Sequence, residues 1–425
     1  MKRVDQNFLN KAIIEKRGLI GKKSLKFLNF ISSYEKLKIH AIPSGTKCFD
    51  WTIPDEWILD HAFIKKNNEK ILSVSDDNIL NIVNGSISID KTLTYDELKE
   101  NISYKKDLDC AIPWMHSYYG KNWGFCLKYE DFEKLDKAAT YHVNIKSTFK
   151  KSNLYIGELF LQGSSDSEIV LMTYTCHPSM ANDNLSGIAL LLDLFYRLRD
   201  VKDRKYSYRF LFLPETIGSI AALSQGIINK NNVEYALVLT CVGHGEIINY
   251  KKTFTNNHTL DFVVEDVLSQ SQCDFICRDY WPTGGSDERQ LSSPSIRIPT
   301  GTLMRSPYGE YKEYHTSNDD IDLIDLNLIL KMSDIHFEVI LKYETCRFYK
   351  CTTLGGEPFL TKYGNYRTLG GTHTIDNYEK IVKWLCFLGD GNNSLIDVSF
   401  KSQHNLDKIM LVYYDLLKHD ILVEL

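Results

Sequence analysis

Apolar runs alternate with helical segments from about residue 155 onward, and this alternation most constrains the fold. The runs Ile169–Tyr174, Tyr208–Leu213 and Tyr235–Thr240 are mainly apolar, and an amphipathic helix is predicted from Ser186 to Leu198. Strands that are apolar on both faces belong in a parallel sheet covered by helices on either side. The sequence therefore predicts an α/β fold, a mostly parallel sheet sandwiched by helices, with ligands binding beyond the carboxyl ends of its strands.

A chain of 425 residues is too long for one ordinary hydrophobic core, so more than one domain is expected. Two other regions differ from the alternating region in their residue pattern. Residues 49–154 mix short β-like runs with Asn, Asp, Gly and Ser, which predicts a small, mostly β inserted domain. Residues 349–425 have the outline of a winged helix-turn-helix. Residues 1–48 and 155–348 then form one discontinuous main domain, in which Ser295–Ile298 is predicted as a further strand.

The composition excludes several classes of function. A net charge of −5 lacks the basic excess of a dedicated nucleic-acid binder. No apolar run approaches the roughly 20 residues needed to span a bilayer. The first residues show no signal peptide, and the ten cysteines form no CxxC pair. The sequence thus predicts a cytoplasmic protein with reduced thiols, no membrane partner and no nucleic-acid partner.

Metal-type donors follow the predicted strands. His177 and Asp183 come after the first run, Glu215 follows the second, and His315 lies far downstream. Each has an ordinary explanation when taken alone, since the acids could cap helices and the histidines could be structural. Together they suit a catalytic zinc site, with His177, Asp183 and His315 as ligands and Glu215 as the general base.

The residues around these donors resemble a known family. Asp183-Asn184-Leu185-Ser186-Gly187 looks like the Asp-Asn-x-Ser-Gly element of co-catalytic zinc aminopeptidases of the aminopeptidase Y type. Tyr314-His315-Thr316 looks like their last histidine ligand. Within that clan the chain is most similar to bacterial aminopeptidase-like proteins, which carry a small inserted domain and a C-terminal winged helix and often occur among polysaccharide-biosynthesis genes. The other matching pieces are Phe49–Trp57, Ser117–Leu127, Cys176–Pro178, Pro214–Ser219, Gly285–Gln290 and Gly356–Pro358.

The chain departs from that family pattern at three ligand-related positions. Ser179 stands where His-x-Asp would supply an orienting carboxylate, and Thr216 replaces the second Glu of a Glu-Glu pair. The remaining Asp ligand would fall near Thr240 or Cys241. The resemblance, with these donors missing, implies one zinc ion rather than two. Two alternatives stay open: Glu215 could be a ligand instead of the base, and Cys241 could be a soft donor instead of a buried thiol.

Further charged residues near the motifs are candidates for supporting roles. Asp287, Glu288 and Arg289 follow a Gly-Gly pair and are predicted to bind substrate, a solvated loop being the alternative. Asp319 is predicted to orient His315 by accepting a hydrogen bond from its other ring nitrogen, or else to cap a helix.

These observations favour a zinc hydrolase that acts on a peptide or a small amide, such as an N-acyl sugar intermediate. The alternative is a catalytically degenerate scaffold that binds a metal or a ligand without turnover. A transcription regulator is disfavoured, because the helix after Asn405 carries two lysines against two aspartates. That module is expected to serve in packing, with a homo-oligomer formed through it as an open alternative.

Overall fold

The computed structural model describes residues 2–353, 355–363 and 377–425; part of the predicted winged helix-turn-helix, residues 364–376, lies outside them. The chain divides into two compact units. The first comprises residues 1–254 and 273–336, and the second comprises residues 255–272 and 337–425.

The first unit is built on an eight-stranded mixed sheet whose centre is parallel. Neighbouring strands of its centre pair in parallel. Antiparallel pairs flank this centre on both sides, and the outermost pair at one edge, Ile248–Lys251 with Phe275–Arg278, is parallel again. In spatial order the strands are Lys38–Pro43, Asn153–Leu161, Ser207–Leu213, Glu168–Tyr174, Val233–Val238, Thr300–Met304, Ile248–Lys251 and Phe275–Arg278. The α/β fold class expected from the sequence is confirmed.

The apolar runs explain the centre of this sheet. Every residue of Glu168–Tyr174 is buried, and the same holds for Thr300–Met304. Side chains on both faces of such strands must be covered, which the helices accomplish. The helices of this unit are Gln6–Ile14, Lys22–Ser32, Tyr95–Lys99, Tyr129–Glu133, Gly187–Arg199, Ile217–Ser224, Glu288–Leu291 and the first part of Leu326–Glu344.

One predicted strand is absent from its expected place. Ser295–Ile298 forms a turn, and the strand begins at Thr300. Arg297 has a φ of 58°, a left-handed conformation that interrupts an extended run. Ile298 is nevertheless buried in the core of the main sheet. The apolar pattern therefore reports burial correctly, but a turn rather than a strand provides it.

The insert contains an antiparallel sheet with its own core. Its strands, in spatial order, are Glu69–Val74, Glu56–Lys66, Thr140–Lys150 and Ile89–Thr94. Tyr141, Val143 and Ile145 alternate inward along the longest strand pair, as expected for a sheet with one buried face. Shorter strands pair as Lys47–Cys48 with Trp51–Thr52 and as Ile102–Ser103 with Phe125–Cys126.

The second unit combines helices with a small sheet. Strands Asp390–Ser394, Phe348–Cys351 and Leu422–Glu424 pair in that spatial order. Apolar residues of the helices Tyr378–Leu388, Leu395–Ser402 and Leu406–Lys418 form its core, and the helix Thr259–Gln270 belongs to the same unit.

None of the helices in the described ranges is both long enough and apolar enough to cross a membrane.

Candidate metal centre

The loop after the strand Glu168–Tyr174 is fixed by its own polar side chains. Asn184 donates to Thr173 Oγ1 at 2.8 Å and accepts from the Gly187 N–H at 3.2 Å. A Cβ at Gly187 would lie 2.3 Å from both Asn184 Oδ1 and the Leu239 carbonyl, so only glycine fits there. Ser186 Oγ accepts from the Val242 N–H at 3.1 Å. The Asp-Asn-x-Ser-Gly pattern thus ties the loop to the end of the neighbouring strand and holds Asp183 in place.

Asp319 supports the same loop, and not His315 as the sequence predicted. Its carboxylate accepts from the backbone N–H groups of Ala181, Asn182 and Asp183 at 3.1, 2.6 and 3.0 Å. It also accepts from Tyr311 at 3.0 Å. Each oxygen of Asp319 thus accepts two hydrogen bonds, and none of these four bonds comes from His315. The carboxylate therefore positions Asp183 through the backbone.

His177 directs one ring nitrogen into the site. Its Nδ1 lies 3.3 Å from Cys176 Sγ, which also accepts from the Glu215 N–H at 3.3 Å. With Nδ1 engaged, Nε2 faces the centre, 3.7 Å from Asp183 Oδ2 and 3.7 Å from Glu215 Oε2. A cysteine beside the histidine therefore links the ligand candidate to the base candidate.

His315 is held by the insert. Its carbonyl accepts from the Trp114 N–H at 2.7 Å, and Pro113 and Thr316 form an antiparallel bridge. The Trp114 indole packs on both imidazoles, with ring centroids 4.3 Å from His177 and 4.9 Å from His315. Trp114 is buried, and the side chains that it packs against include the two histidines.

Replacing Trp114 with alanine should loosen both histidines. We expect unfolding to become easier by about 3–5 kcal/mol, as for other large aromatic truncations, and zinc affinity to fall by about 10–100-fold, as for loss of a group that orients ligands. Urea denaturation and competitive metal titration would measure these effects. Trp123→Ala is the matched control, since Trp123 packs against the insert's own core; it should lower stability and spare zinc affinity. Equal affinities in all three proteins would contradict the expectation.

Three donors converge on one point. The candidate ligand atoms of His177, Asp183 and His315 lie within 4.8 Å of one another, and His315 Nε2 is 3.1 Å from Asp183 Oδ2. Ligands held at bonds of about 2 Å around a tetrahedral ion are roughly 3.3 Å apart, so the spacing suits a zinc-sized cation. Asp183 Oδ2 and His315 Nε2 are buried, and although they lie 3.1 Å apart they are not aligned as a hydrogen bond and have no other hydrogen-bond partner. Buried polar atoms rarely remain so, and a cation between them would satisfy both.

The other oxygen of Asp183 is already used. Tyr174 donates its hydroxyl to Asp183 Oδ1 and contacts Thr240 Oγ1 at 2.7 Å. Burial opposes ionisation of Asp183, but the two imidazoles and Tyr174 outweigh it and lower the pKa of Asp183 to about 2. Asp183 thus offers one free carboxylate oxygen to an ion on the histidine side.

The positions of the missing family ligands carry no carboxylate. Thr240 is engaged with Tyr174, and Cys241 Sγ is 4.0 Å from Asp183 Oδ1. Burial, with Asp183 close by, raises the pKa of the Cys241 thiol well above its usual value. Thr216 stands in place of a glutamate, and Ser179 stands in place of an aspartate, so neither position supplies a carboxylate. These residues are poor substitutes for the carboxylates that would hold a second ion.

Glu215 lies at the end of its strand beside the donors. Its Oε1 accepts from Ser286 Oγ at 2.6 Å, which leaves Oε2 facing His177. Burial, followed by the nearby carboxylates of Asp287 and Asp183, raises the pKa of Glu215 to about 8. The pKa of Asp287 is likewise raised to about 7 by burial. A pocket of crowded acids of this kind is electrostatically suited to a cation.

Asp287 fixes the turn that presents Glu215. Thr216 has a φ of 62°, which is strained for a β-branched residue. Its N–H and the hydroxyl of Ser219 both donate to Asp287 Oδ1 at 2.7 Å. The carboxylate therefore stabilises the left-handed turn, and it lies behind Glu215 instead of in the open cavity.

Glu288 and Arg289, the other two residues predicted to bind substrate, lie in different surroundings. Glu288 forms an ion pair with Lys251 at 2.8 Å, and both side chains are fully buried. Arg289 lines a cavity of about 480 Å³ beside His177 and Glu215. Of the predicted substrate residues, the structure therefore brings Arg289 to the cavity and gives Glu288 an internal partner.

Breaking the buried pair should destabilise the first unit. In Lys251→Met the Glu288 carboxylate would lose its cation while remaining buried, which typically costs about 3–5 kcal/mol. The midpoint of urea denaturation measures this loss. Lys251→Met combined with Glu288→Gln should regain much of it, because the stranded charge is then removed. A loss below about 1 kcal/mol in the single variant would contradict the buried pairing.

The cavity beside the metal donors is lined largely by the insert. Trp51, His116, Tyr118 and Tyr119 form one wall, and Arg289 contributes a positive charge. Tyr118 stacks on His116 with ring centroids 5.3 Å apart. An aromatic wall with few charged groups suits a small organic ligand. Cys176 and Ser286 lie in stretches of the sequence that match the family, but neither their contacts nor those of Tyr174 could be inferred from the sequence.

Comparison with known proteins agrees with this architecture. A family model described as a domain of unknown function (DUF4910) matches residues 7–345, and a winged helix-turn-helix model matches residues 347–424. The chain is 40% identical over 387 residues to a Clostridium acetobutylicum protein, provisionally named a polysaccharide biosynthesis protein with an aminopeptidase-like domain. The match covers 91% of this chain and 88% of that protein.

Solved structures give the same result. A protein of C. acetobutylicum, provisionally named a peptidase, superposes with a TM-score of 0.77 at 37% identity, covering 99% of this chain and 95% of that one. A zinc aminopeptidase of Bacillus subtilis superposes with a TM-score of 0.59 at 17% identity, covering 79% and 94%. An M28 peptidase precursor of Shewanella amazonensis gives 0.57 at 12%, covering 80% and 92%.

The aminopeptidase-like fold and the winged helix-turn-helix implied by the sequence motifs are thereby confirmed. The chain belongs to the family described as a domain of unknown function (DUF4910), on an aminopeptidase-like fold followed by a winged helix-turn-helix.

Proposed function

We propose that the protein is a metal-dependent hydrolase of a peptide or small amide bond, with zinc as the metal. His177, Asp183 and His315 would hold the ion, and Glu215 would act as general base. The observation that carries this proposal is the pair of buried, unpartnered donor atoms, Asp183 Oδ2 and His315 Nε2, beside His177. The zinc aminopeptidase of B. subtilis shares the fold and makes zinc the natural first choice.

In the proposed reaction the zinc ligands, Glu215 and the aromatic wall of the cavity have separate roles. A bound zinc ion would polarise an amide carbonyl and lower the pKa of a water molecule. Glu215 Oε2 faces the donors and can take a proton from that water, while Ser286 fixes the other oxygen. A cation beside the carboxylate would favour its ionised form and so offset the raised pKa of Glu215. The aromatic wall of the cavity would orient the substrate and exclude bulk water.

One ion is favoured over two in this proposal. Tyr174 engages the Asp183 oxygen that a second ion would need, and Thr240 and Cys241 lie where a further carboxylate would be required. Metal analysis of the purified protein tests this directly, and a stoichiometry near two would overturn it.

The substrate class is drawn from two sources. The fold favours an aminoacyl amide or peptide. The C. acetobutylicum relative is named for polysaccharide biosynthesis, and we propose from this an N-acyl group on a sugar intermediate as the other substrate class. Incubating the zinc-loaded protein with libraries of aminoacyl amides and N-acyl sugars, with product detection by mass spectrometry, tests both. Turnover of one library identifies the class. Turnover of neither, with zinc bound, would favour the second candidate.

That second candidate is a scaffold that binds a metal or ligand without turnover. It is favoured by the residues at the missing ligand positions, which include Thr216 and Cys241. The retained Glu215, placed 3.7 Å from His177 Nε2, favours the enzyme instead.

We further propose that the winged helix-turn-helix is a packing module rather than a DNA reader. Its long helix Leu406–Lys418 leaves Leu411 58% exposed, and Phe387 on another helix is 80% exposed. Contacts to phosphates require an excess of basic residues, which that helix lacks. Apolar contact between copies of the chain is consistent with such a surface.

A further inference from the structure

Arg17 is a buried cation with unused hydrogen-bond donors. It is 3% exposed, and its Nη2 donates to the Met180 carbonyl at 2.7 Å. Its Nε and Nη1 have no hydrogen-bond partner. Burial lowers the pKa of Arg17 to about 10, although electrostatic interactions with Asp319, Cys176 and Asp183 oppose the shift. Leaving a buried guanidinium in this condition is costly, so a compensating group is expected.

Arg17 is one of the residues that line a second cavity, although its Nε and Nη1 atoms are themselves buried. This cavity has a volume of about 500 Å³ and is lined by the segment from Ile13 to Ile20, by residues 55–59 and by Pro178 and Ser179. Leu19 and Tyr118 line both this cavity and the one beside the metal donors. The two cavities therefore share a wall, and a single ligand of moderate length could occupy both.

The acids around this second cavity already have partners. Asp76 pairs with Lys23 at 2.6 Å, Asp55 pairs with Lys151 at 2.9 Å, and Glu15 pairs with Lys26 at 3.0 Å. Glu56 accepts from the backbone N–H of Lys22 at 2.9 Å. Lys16 pairs with Asp77 at 2.9 Å. Among the described residues that line the cavity, only Arg17 and the exposed Lys22 are cations without a carboxylate partner.

We propose that this second cavity is an anion subsite, in which Arg17 binds the carboxylate or phosphate group of an acidic ligand. The planar guanidinium presents N–H groups in a fork that matches two oxygens of either group. Lys22 at the rim adds a second positive charge. A hydrogen bond to the Met180 carbonyl needs only one N–H group and no positive charge. It therefore does not explain why Nε and Nη1 of a charged side chain are buried here without partners.

The subsite adds a constraint to the proposed reaction. If the reacting amide lies at the metal donors, an acidic group elsewhere in the same molecule would reach Arg17 past Leu19 and Tyr118. This link to the hydrolysed substrate rests on the proposed function. Binding of an anion at Arg17 does not, so the two can fail separately.

Calorimetric titration of the zinc-loaded full chain with inorganic phosphate, with glutarate and with neutral glutaramide tests the subsite. We expect one of the two anions to bind and glutaramide not to bind; whichever anion binds more tightly identifies phosphate or carboxylate as the preferred group. Arg17→Met should weaken that binding by about 10–100-fold, the range for loss of a charge-assisted hydrogen bond. Arg17→Lys should lose less, because it keeps the charge.

Controls separate this site from other sources of binding. Lys16→Met removes a charge from the same segment, but one that is paired with Asp77, and should leave anion affinity within about twofold. His315→Ala should keep anion binding, which rules out capture by the zinc ion. The proposal is overturned if neither anion binds the wild-type protein, if Arg17→Met that retains its zinc and its thermal midpoint binds as wild type does, or if binding requires His315. Anion binding without hydrolysis of any amide would sink the proposed function and leave the subsite standing.

Discussion

Replacing His315 with alanine is expected to abolish stoichiometric zinc binding. The His315 nitrogen is one of three donors within 4.8 Å, and no third histidine belongs to that group among the residues that the structure describes. Structural zinc sites with four ligands are worth about 10–16 kcal/mol, or roughly 2.5–4 kcal/mol for each ligand. Loss of one ligand should therefore weaken zinc binding by roughly 100- to 1,000-fold. Competitive titration with a chromogenic chelator would measure the change.

His116→Ala provides the matched control for this experiment. The His116 ring lies 5.1 Å from Trp114, on the same cavity wall, but it does not belong to the donor cluster. The control should retain its zinc. Equal zinc affinities for His315→Ala and the wild-type protein would show that the ion, if it binds, is held elsewhere, and the proposed centre would then be wrong.

Glu215→Gln is expected to remove turnover while the zinc stays bound. The amide keeps the size of the side chain and its contact with Ser286, but it cannot accept a proton. Loss of a general base typically reduces the rate by about 100- to 10,000-fold. The turnover number on the substrate found by library screening, together with zinc content, gives the measurement.

The combination of the two readouts separates the remaining alternatives. If Glu215 is a ligand instead of the base, the variant will lose zinc together with activity. If the protein is a scaffold, the wild-type chain will show no turnover for the variant to lose. Ser286→Ala is a useful companion, because it frees Glu215 Oε1 without removing the carboxylate and should reduce the rate less than Glu215→Gln does.

The parts of the fold that follow from local pattern were predictable from the sequence. Apolar runs bounded by polar residues located the strands that end at Tyr174 and Leu213, and the residues after each strand located His177 and Glu215. The turn at Ser295–Ile298 was missed because burial and extended conformation leave the same apolar signature there. Local pattern reports which residues are buried better than it reports their backbone angles.

Contacts between distant segments were less accessible. Asp319 accepts hydrogen bonds from amides 136–138 residues away, and no spacing rule reveals such partners. The packing of Trp114 on the two histidines joins the insert to the loop after the last central strand. Such contacts depend on how separate secondary-structure elements pack together. The periodicity of apolar residues in a single sequence does not reveal that packing.

The bridge between Pro113 and Thr316 has an evolutionary consequence. An inserted domain that makes no contact with the functional site of a protein can be lost or exchanged between relatives without changing the chemistry of that site. Here the inserted domain contributes backbone bonds and the Trp114 indole to the surroundings of the proposed ion site, so we expect the insert and the loop that carries His315 to depend on each other. In chimaeras that carry a relative's inserted domain, we expect the proposed site to function only when the inserted domain and the loop around His315 come from the same parent protein.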